Sequence, residues 1–264
     1  MSTNRFFLPA SSLERDEVRL SPEQSHQVCH VLRLKAGDTI VALDDSGVEY
    51  EVTLTGVCLP ETVGRVTARG PAHGEPATEL VLFQSLLSRE KFEWVLQKGT
   101  EVGVAQFVPV LTERSIVRAR LIEDKKLDRW RRIVTEAAEQ SHRGRIPKIG
   151  QTVPFREAVA QLGGFDHRLI AATFTETISL REALQKRSKR ATDPPGAPSI
   201  GGEEVSVALM IGPEGGFTEE EAALAREKGA VPIRLGPRML RTETAAVVAC
   251  ALVLYEQGEM GSSP

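Results

Sequence analysis

Two glycine-rich loops near the carboxyl end of the chain carry the residue types best suited to binding a small ligand. The sequence GPEGGF occupies residues 212–217, and GPRMLR occupies residues 236–241. Each loop follows an apolar segment, 205–211 or 233–235, that predicts a buried strand. Ligands of open α/β sheets bind beyond the carboxyl ends of the strands, so both loops are candidate binding elements.

The chemistry of the first loop argues against a phosphate ligand. A P-loop ends in Lys-Ser/Thr and a dinucleotide loop reads G-x-G-x-x-G, and residues 212–217 match neither pattern. Pro213 removes an N–H donor and Glu214 adds a negative charge, and both oppose binding of a pyrophosphate. S-adenosyl-L-methionine, a cationic sulfonium without phosphate, fits better, because bare glycine loops allow backbone groups to approach an adenine edge closely. Taken alone, either loop is also consistent with an ordinary tight turn before a capped helix.

A second candidate surface is a basic strip inside an acidic chain. Residues 114–148 contain eleven Lys or Arg and five Asp or Glu, whereas the 264-residue chain has a formal net charge of −3. Such a local excess is typical of a phosphate-contacting surface. The alternative is a solvated helix face on which Asp128, Arg132 and Glu136 are spaced to pair. The total charge excludes a uniformly basic nucleic-acid binder. The basic strip comprises Arg114, Arg118, Arg120, Lys125, Lys126, Arg129, Arg131, Arg132, Arg143, Arg145 and Lys148.

The elements that would position these residues fall into two groups. A helix from about residue 22 to 32, capped by Ser21, precedes short predicted strands at 38–43, 49–57 and 63–68, which suggests a small β-rich barrel. After a Gly/Pro-rich linker at 70–78, strands alternate with helices, a pattern typical of an α/β domain with a largely parallel sheet. The predicted strands there are 80–85, 107–111, 169–173, 205–211 and 233–235, and the predicted helices are 91–102, 124–142, 218–228 and 242–255.

The sequence alone argues against several function classes. The longest apolar run, residues 245–255, is too short to span a bilayer, and the start of the chain lacks a signal-peptide core. The three cysteines are widely spaced, which suits a reducing cytoplasm. His26 and His30 have the spacing of paired metal ligands but no third ligand nearby, so no metal site is expected. Trp94 and Trp130 lie on apolar helix faces and are predicted to be core residues.

Taken together, the two loops resemble those of the RsmE family, which are ribosomal RNA small-subunit uridine N3-methyltransferases of the SPOUT class. The most specific signal is GPEGGFTEEE at 212–221 followed by LGPRMLRTETAA at 235–246. Further similarity occurs in EWVLQKGTEVG at 93–103 and EAAEQS at 136–141. The N-terminal RFF at 5–7 and the segment 26–38 resemble the family's PUA-like RNA-binding module. The Pro-rich segment 188–204 departs from the family's more compact spacing.

The resemblance implies a PUA-like RNA-binding domain at 1–72 and a SPOUT methyltransferase domain at 78–264. SPOUT domains form a trefoil knot at their carboxyl end, an exception to the rule that chains are unknotted. They are homodimers with shared sites, and S-adenosyl-L-methionine is held by loops after three strands. The implied substrate is one uridine of 16S ribosomal RNA in the small ribosomal subunit. Carried over to this chain, the cofactor loops comprise Thr173, Phe174, Gly212, Pro213, Glu214, Gly215, Gly216, Leu235, Gly236, Met239, Leu240, Arg241 and Thr242.

Methyl transfer to uracil N3 requires that the N3 proton leave, which spreads negative charge onto O2 and O4. A positioned arginine is a suitable stabiliser of that charge. Arg241, between the second loop and the next helix, is the predicted catalytic residue, with a purely structural role as the equal alternative. Two other functions stay open: a SPOUT methyltransferase with another RNA target, and a non-catalytic RNA-binding ribosome-assembly protein. The predicted RNA contacts are Arg5, Arg33, Arg114, Arg129, Arg132 and Arg143.

Overall fold

The structure is a computed structural model, and it describes residues 4–115, 124–172, 176–185 and 205–261. The chain divides into two compact units. The first contains Met1–Glu75 and Thr135–Ile146, and the second contains Pro76–Val134 and Pro147–Pro264. The sequence prediction instead kept all residues after the linker in one domain.

The first unit is built on a six-stranded sheet in the order β1-β4-β5-β6-β3-β2. β1 pairs with β4 in parallel, and the other neighbours are antiparallel. The three predicted strands correspond to β4, β5 and β6, while the short strands before them were not predicted. The strands are β1 (Arg5–Phe7), β2 (Leu13–Glu14), β3 (Glu17–Arg19), β4 (Thr39–Leu43), β5 (Val48–Gly56) and β6 (Val63–Pro71).

Local sequence explains both the helix and the core of this unit. Helix α1 (Pro22–His26) starts with the predicted capping box at Ser21, and the chain continues as a π-helical turn over Gln27–Val31. The predicted linker at 70–78 starts too early, because the last two residues of β6 belong to it. Alternate side chains of the strands point into one apolar core, which includes Phe6, Val18, Val28, Ile40, Ala42, Val52 and Leu54.

Residues 135–146 fold with the first unit through specific contacts. Ala138 packs in an apolar cluster with Phe7 and Leu43. The backbone N–H of Phe7 donates to Glu139 Oε1 at 2.9 Å. Burial raises the pKa of Glu139 to about 7 despite that hydrogen bond. The N–H groups of residues 144 and 145 both donate to Glu75 Oε1. Residues 135–146 therefore contain charged groups that have structural partners within the first unit.

The second unit contains an eight-stranded sheet in which every pairing is parallel, in the order β10-β8-β7-β13-β11-β14-β12, with β9 beside β8. The predicted α/β class and parallel sheet are confirmed. Central strands are apolar throughout because both of their faces are covered. The strands are β7 (Glu79–Ser85), β8 (Gln106–Leu111), β9 (Lys148–Ile149), β10 (Val153–Pro154), β11 (His167–Ala171), β12 (Ile178–Ser179), β13 (Ser206–Ile211) and β14 (Val231–Arg234).

Six further α-helices, α2–α7, occur in the part of the chain that the structure describes. The four predicted helices are confirmed within a few residues, and the two short helices α4 and α5 were not predicted. Among the described residues, no helix is both long and apolar enough to cross a membrane. The helices are α2 (Arg89–Val102), α3 (Asp124–Gln140), α4 (Phe155–Gln161), α5 (Leu180–Leu184), α6 (Glu219–Glu227) and α7 (Thr242–Glu256).

The two tryptophans behave differently. Trp130 is fully buried and its ring lies 4.5 Å from the Phe92 ring, between centroids, as expected of a core residue. Trp94 is 41% exposed, so its assignment to the core was wrong. The reason is helical geometry: the buried face of α2 is formed by Phe92, Val95, Leu96 and Gly99, and Trp94 projects away from it.

Candidate functional site

A cavity of about 760 Å³ lies where three neighbouring strands of the second unit end. β11 pairs with both β13 and β14, and Ala171 is in register with Ile211 on one side and Ile233 on the other. The loops that follow these strands therefore emerge at one edge of the sheet, as expected for a ligand site of a parallel sheet. The cavity has the size of a small-molecule site.

The first glycine loop is a tight turn fixed by its own backbone. The N–H of Gly216 donates to the carbonyl of Pro213 at 2.9 Å, and Gly216 has φ +68°, which favours glycine. A Cβ at Gly212 would lie 3.2 Å from the Phe217 ring, so a larger residue would crowd that side chain. Thr218 caps α6 with a capping box formed with Glu221. The loop is thus held in shape before any ligand arrives.

Contacts from other elements also support this loop. Arg114 Nη1 donates to the carbonyl of Gly215 at 2.8 Å, and the backbone N–H of Glu113 donates to Glu221 Oε1 at 2.9 Å. Arg114 was predicted to contact RNA. The structure instead engages its guanidinium with the backbone of the glycine loop, because the segment after β8 runs beside that loop.

The second loop connects β14 to α7 and is joined to the first. The Thr242 hydroxyl donates to the carbonyl of Gly212, which ties the two loops together. Met239 is 80% exposed at the rim of the cavity. Arg241 is the N-cap residue of α7, and its carbonyl accepts from the N–H of Ala245. The exposed side chain of Arg241 forms no hydrogen bond or ion pair with any residue that the structure describes, so it is available to a ligand.

Lys91, Glu214 and Glu243 form a charged cluster in the cavity wall. Lys91 Nζ donates to Glu214 Oε1 at 2.8 Å and lies 4.0 Å from Glu243 Oε2. Burial alone would raise the pKa of Glu214, but the hydrogen bond and the charge of Lys91 hold that pKa below its usual range. The same hydrogen bond raises the pKa of Lys91. Both groups are therefore charged at neutral pH.

The structure gathers most of the predicted cofactor residues around this cavity. Thr173 and Phe174 lie outside the described residues. Lys91 and Glu243 also line the cavity but were not predicted. Lys91 is distant in the chain, and only the tertiary fold brings it to the site. Glu243 could have been identified, because it stands two residues after Arg241 within a recognised motif. The predicted residues that line the cavity are Gly212, Pro213, Glu214, Gly215, Gly216, Leu235, Gly236, Met239, Leu240, Arg241 and Thr242.

Two of the predicted RNA-contacting arginines are buried ion-pair partners. The side chain of Arg5 is 9% exposed and pairs with Glu49 at 2.8 Å. The side chain of Arg143 is 3% exposed and binds Glu75 through Nε at 3.1 Å and Nη2 at 2.9 Å. Their placement contradicts the expectation that they present their charge to RNA, because the guanidinium groups satisfy carboxylates within the first unit. Arg33 is exposed, with φ +54°.

The exposed helical part of the basic strip is partly neutralised. Arg129 makes two hydrogen bonds to Glu93, at 2.6 and 2.8 Å. These hydrogen bonds hold the pKa of Glu93 below its usual range despite burial. Asp128 pairs with Arg131 at 3.0 Å instead of with the residue four positions on. Arg132 is exposed. Of the two predicted RNA contacts on α3, Arg132 is therefore the one without a carboxylate partner among the described residues.

The remaining members of the basic strip are dispersed. Lys126 Nζ lies 5.1 Å from the centre of the Trp130 ring, and burial lowers the pKa of Lys126. Lys125 and Lys148 are exposed. Arg118 and Arg120 lie outside the described residues. A contiguous phosphate-binding strip is not evident from the side chains that the structure describes.

The comparisons with known proteins agree with this arrangement. Residues 74–254 match the family model described as an RNA methyltransferase domain. The chain is 29% identical over 259 residues to the ribosomal RNA small subunit methyltransferase E of Bacillus subtilis, with 96% of each chain covered. It is 32% identical over 241 residues to the protein of the same name from Synechocystis, covering 89% of this chain and 72% of the relative.

A solved structure gives the same result for the backbone. The chain superposes on a ribosomal RNA small subunit methyltransferase E from Neisseria gonorrhoeae bound to S-adenosyl methionine, with a TM-score of 0.80 and 30% identity. The match covers 96% of this chain and 98% of the other. The similarity thus extends through both compact units and is not confined to the glycine loops.

Proposed function

Because the chain belongs to the ribosomal RNA small subunit methyltransferase E family, we propose that it transfers a methyl group from S-adenosyl-L-methionine to N3 of a uridine in 16S ribosomal RNA. The observation that carries this proposal is the meeting of the two glycine loops, with the unpaired Arg241, around one cavity. The relatives named above supply the substrate class, and the solved relative bound to S-adenosyl methionine supplies the cofactor.

The residues around the cavity fit such a cofactor. A Cβ at Gly216 or Gly236 would meet no atom within 4 Å, so the backbone at both positions borders open space and is accessible to an adenosine. Glu214 and Glu243 place carboxylates in the same wall, beside the cations Lys91 and Arg241. The residues that would hold the cofactor are those of 212–216 and 235–242. When bound, the cofactor supplies an electrophilic methyl group on a sulfonium.

The chain's own residues would act on the uridine. Removal of the N3 proton leaves negative charge on O2 and O4, and the free guanidinium of Arg241 is suited to stabilise it. Thr242 fixes the start of α7 against Gly212 and so fixes the backbone from which Arg241 projects. A uridine in folded RNA must be turned out of its stack before N3 can enter the cavity.

The finer points of architecture belong to the same proposal. We place a trefoil knot at this edge of the sheet, supported by the strand order, in which β11 lies between β13 and β14, and by the bond between the two glycine loops. We assign the first unit as a PUA-like RNA-binding barrel, supported by its mainly antiparallel sheet and the exposed Arg33. Ribosome assembly is cytoplasmic in bacteria, and we place the protein there.

We further propose that the protein is a homodimer that pairs through α7. Residues 245–255 of this helix are apolar on all sides, yet Leu252 is 39% exposed and Tyr255 is 56% exposed, and α2 beside it exposes Trp94. Leu252 and Tyr255 share a helix face, and a second copy would remove these side chains from water. Analytical ultracentrifugation should give twice the 28.8-kDa chain mass. A monomer at micromolar concentration would contradict this assignment.

Methylation of purified ribosomal particles tests the proposed function. Small subunits from a strain without this modification are incubated with the protein and labelled S-adenosyl-L-methionine, and the nucleosides are analysed by mass spectrometry. The expected product is 3-methyluridine in 16S ribosomal RNA. Labelling of another RNA would favour a different target. Tight RNA binding with no cofactor binding by calorimetry would favour the non-catalytic assembly protein.

A further inference from the structure

Glu243 presents a buried hydrogen-bond acceptor that has no donor. Its Oε2 is inaccessible to solvent and accepts no hydrogen bond from any described residue, and its side chain is 16% exposed in the cavity wall. The nearest cation, Lys91 Nζ, is 4.0 Å away and is hydrogen-bonded to Glu214. Buried polar groups are nearly always paired, so this oxygen is suited to a donor that arrives with a ligand.

Two cations accompany this acceptor. Lys91 is one, and Arg241, two residues before Glu243 in the chain, is the other. The pKa of Lys91 is raised chiefly by its hydrogen bond to Glu214, and the positive charge of Arg241 counteracts part of that rise. Arg241 lines the same cavity as Lys91 and Glu243. The wall presents an ammonium donor, a carboxylate acceptor and a guanidinium donor.

This set complements one edge of uracil. Along that edge O4 accepts, N3–H donates and O2 accepts, so a matching site needs a donor, an acceptor and a donor. Cytosine would instead set an amino donor against a cation and an unprotonated N3 against the carboxylate. Because the buried polar groups of the site would then be unpaired, the site should discriminate strongly against cytosine. This proposal rests on the proposed methylation of uridine N3. We propose that Lys91, Glu243 and Arg241 recognise this uracil edge, and that the Glu243 side chain turns Oε2 toward the bound base to accept the N3 proton.

The proton balance follows from this placement. The N3 proton moves to Glu243 Oε2, and the electron pair of the N–H bond stays on N3, with its charge shared with O2 and O4 beside the two cations. That pair then forms the bond from N3 to the methyl carbon as the sulfur–methyl bond breaks and its electrons return to sulfur. Proton and methyl use the same in-plane electron pair, so proton removal comes first. The neutral carboxyl, no longer attracted by Lys91, can then rotate away.

Glu243→Gln keeps the shape of the side chain and removes its basicity. We expect the single-turnover rate of methylation of unmodified small subunits, at saturating S-adenosyl-L-methionine and neutral pH, to fall about 100-fold or more, the range for a positioned proton acceptor. The residual rate should rise with pH as solution base replaces the carboxylate. Cofactor affinity, measured by calorimetry without RNA, should be unchanged. Glu243→Asp should retain part of the rate.

Glu157→Gln is the matched control, because Glu157 is an exposed carboxylate in the first turn of α4 and lies outside the cavity wall. It should leave the rate and its pH profile unchanged. If Glu243→Gln weakens cofactor binding but keeps the full rate at saturation, Glu243 binds the cofactor and the proposal is overturned. An unchanged rate and affinity would overturn it as well. Failure of the proposed function has a different signature: the wild-type protein would bind cofactor yet form no 3-methyluridine.

Discussion

The glycine loops and the basic strip were both predicted as binding elements. The structure brings the loops together around one cavity, whereas it engages arginines of the strip in ion pairs. Residues 212–217 and 235–242 are separate segments of the chain. They nevertheless surround one cavity and are joined by the hydrogen bond from Thr242 to Gly212. The basic strip is contiguous in sequence, yet Arg143 is buried against Glu75 and Arg129 is paired with Glu93. A motif defined by backbone requirements is therefore more informative about a site than a motif defined by charge count.

The largest effect should follow from Arg241→Ala. The loss of a preorganised cation at the developing charge should lower the methylation rate at saturating cofactor roughly 10²–10³-fold, in addition to any loss of cofactor affinity. Rates at saturating cofactor and calorimetric affinities separate the two effects. Arg156→Ala, at an exposed position on α4, is the control and should be silent. Full activity of Arg241→Ala would reduce this arginine to a structural brace.

Arg143→Ala should show that this member of the basic strip is structural. Removing one partner of a buried pair leaves the Glu75 carboxylate without its guanidinium, and we expect a loss of about 3 kcal/mol in the free energy of unfolding, the low end of the buried range because Glu75 is 20% exposed. Urea unfolding measures it. The salt dependence of RNA binding by the folded variant should match that of the wild type. A reduced salt dependence would return Arg143 to the RNA surface.

Thr242→Val tests the joint between the two loops. The substitution keeps the side-chain shape but leaves the buried carbonyl of Gly212 without its donor, which should cost about 1–3 kcal/mol in the free energy of unfolding and weaken cofactor binding. Thr67→Val is the comparison, since Thr67 donates to a carbonyl at an exposed site. Equal effects of the two variants would mean that the joint is unimportant for the cavity.

The smallest effect should come from the exposed part of the basic strip. Arg132→Ala should weaken RNA binding about equally for all sequences and lower the slope of log affinity against log salt by about one, whereas Arg129→Ala should do less because its charge is already paired. Filter binding over a range of salt concentrations measures both slopes. Identical slopes for both variants and the wild type would leave α3 as a solvated face.

Much of the fold could be predicted from local sequence signals. The parallel sheet follows from long apolar strands such as Ser206–Ile211, and the helix starts follow from capping residues such as Ser21 and Thr218. The short strands β1–β3 could not be predicted, because two or three residues carry no periodicity. The return of residues 135–146 to the first unit depends on contacts such as that of Glu139 with Phe7, which only the tertiary structure creates.

The candidate site was likewise predicted only in part. Its backbone loops were recognisable because glycine and proline constrain the chain locally, as Gly216 shows with its positive φ. Lys91 was not recognisable, since nothing in its own helix indicates that Glu214 lies 2.8 Å away. Trp94 was misassigned because a single helical turn of apolar residues does not define which face is covered. The long-range pairing of Lys91 with Glu214 and the exposure of Trp94 could therefore not be predicted from the sequence.

The most direct test of the central claim is nucleoside mapping of 16S ribosomal RNA in a strain from which this gene has been deleted. The account predicts that one uridine loses its N3-methyl group, that a plasmid carrying the wild-type gene restores it, and that a plasmid carrying Glu243→Gln does not. A methylation pattern identical in the deletion and parental strains would contradict the account.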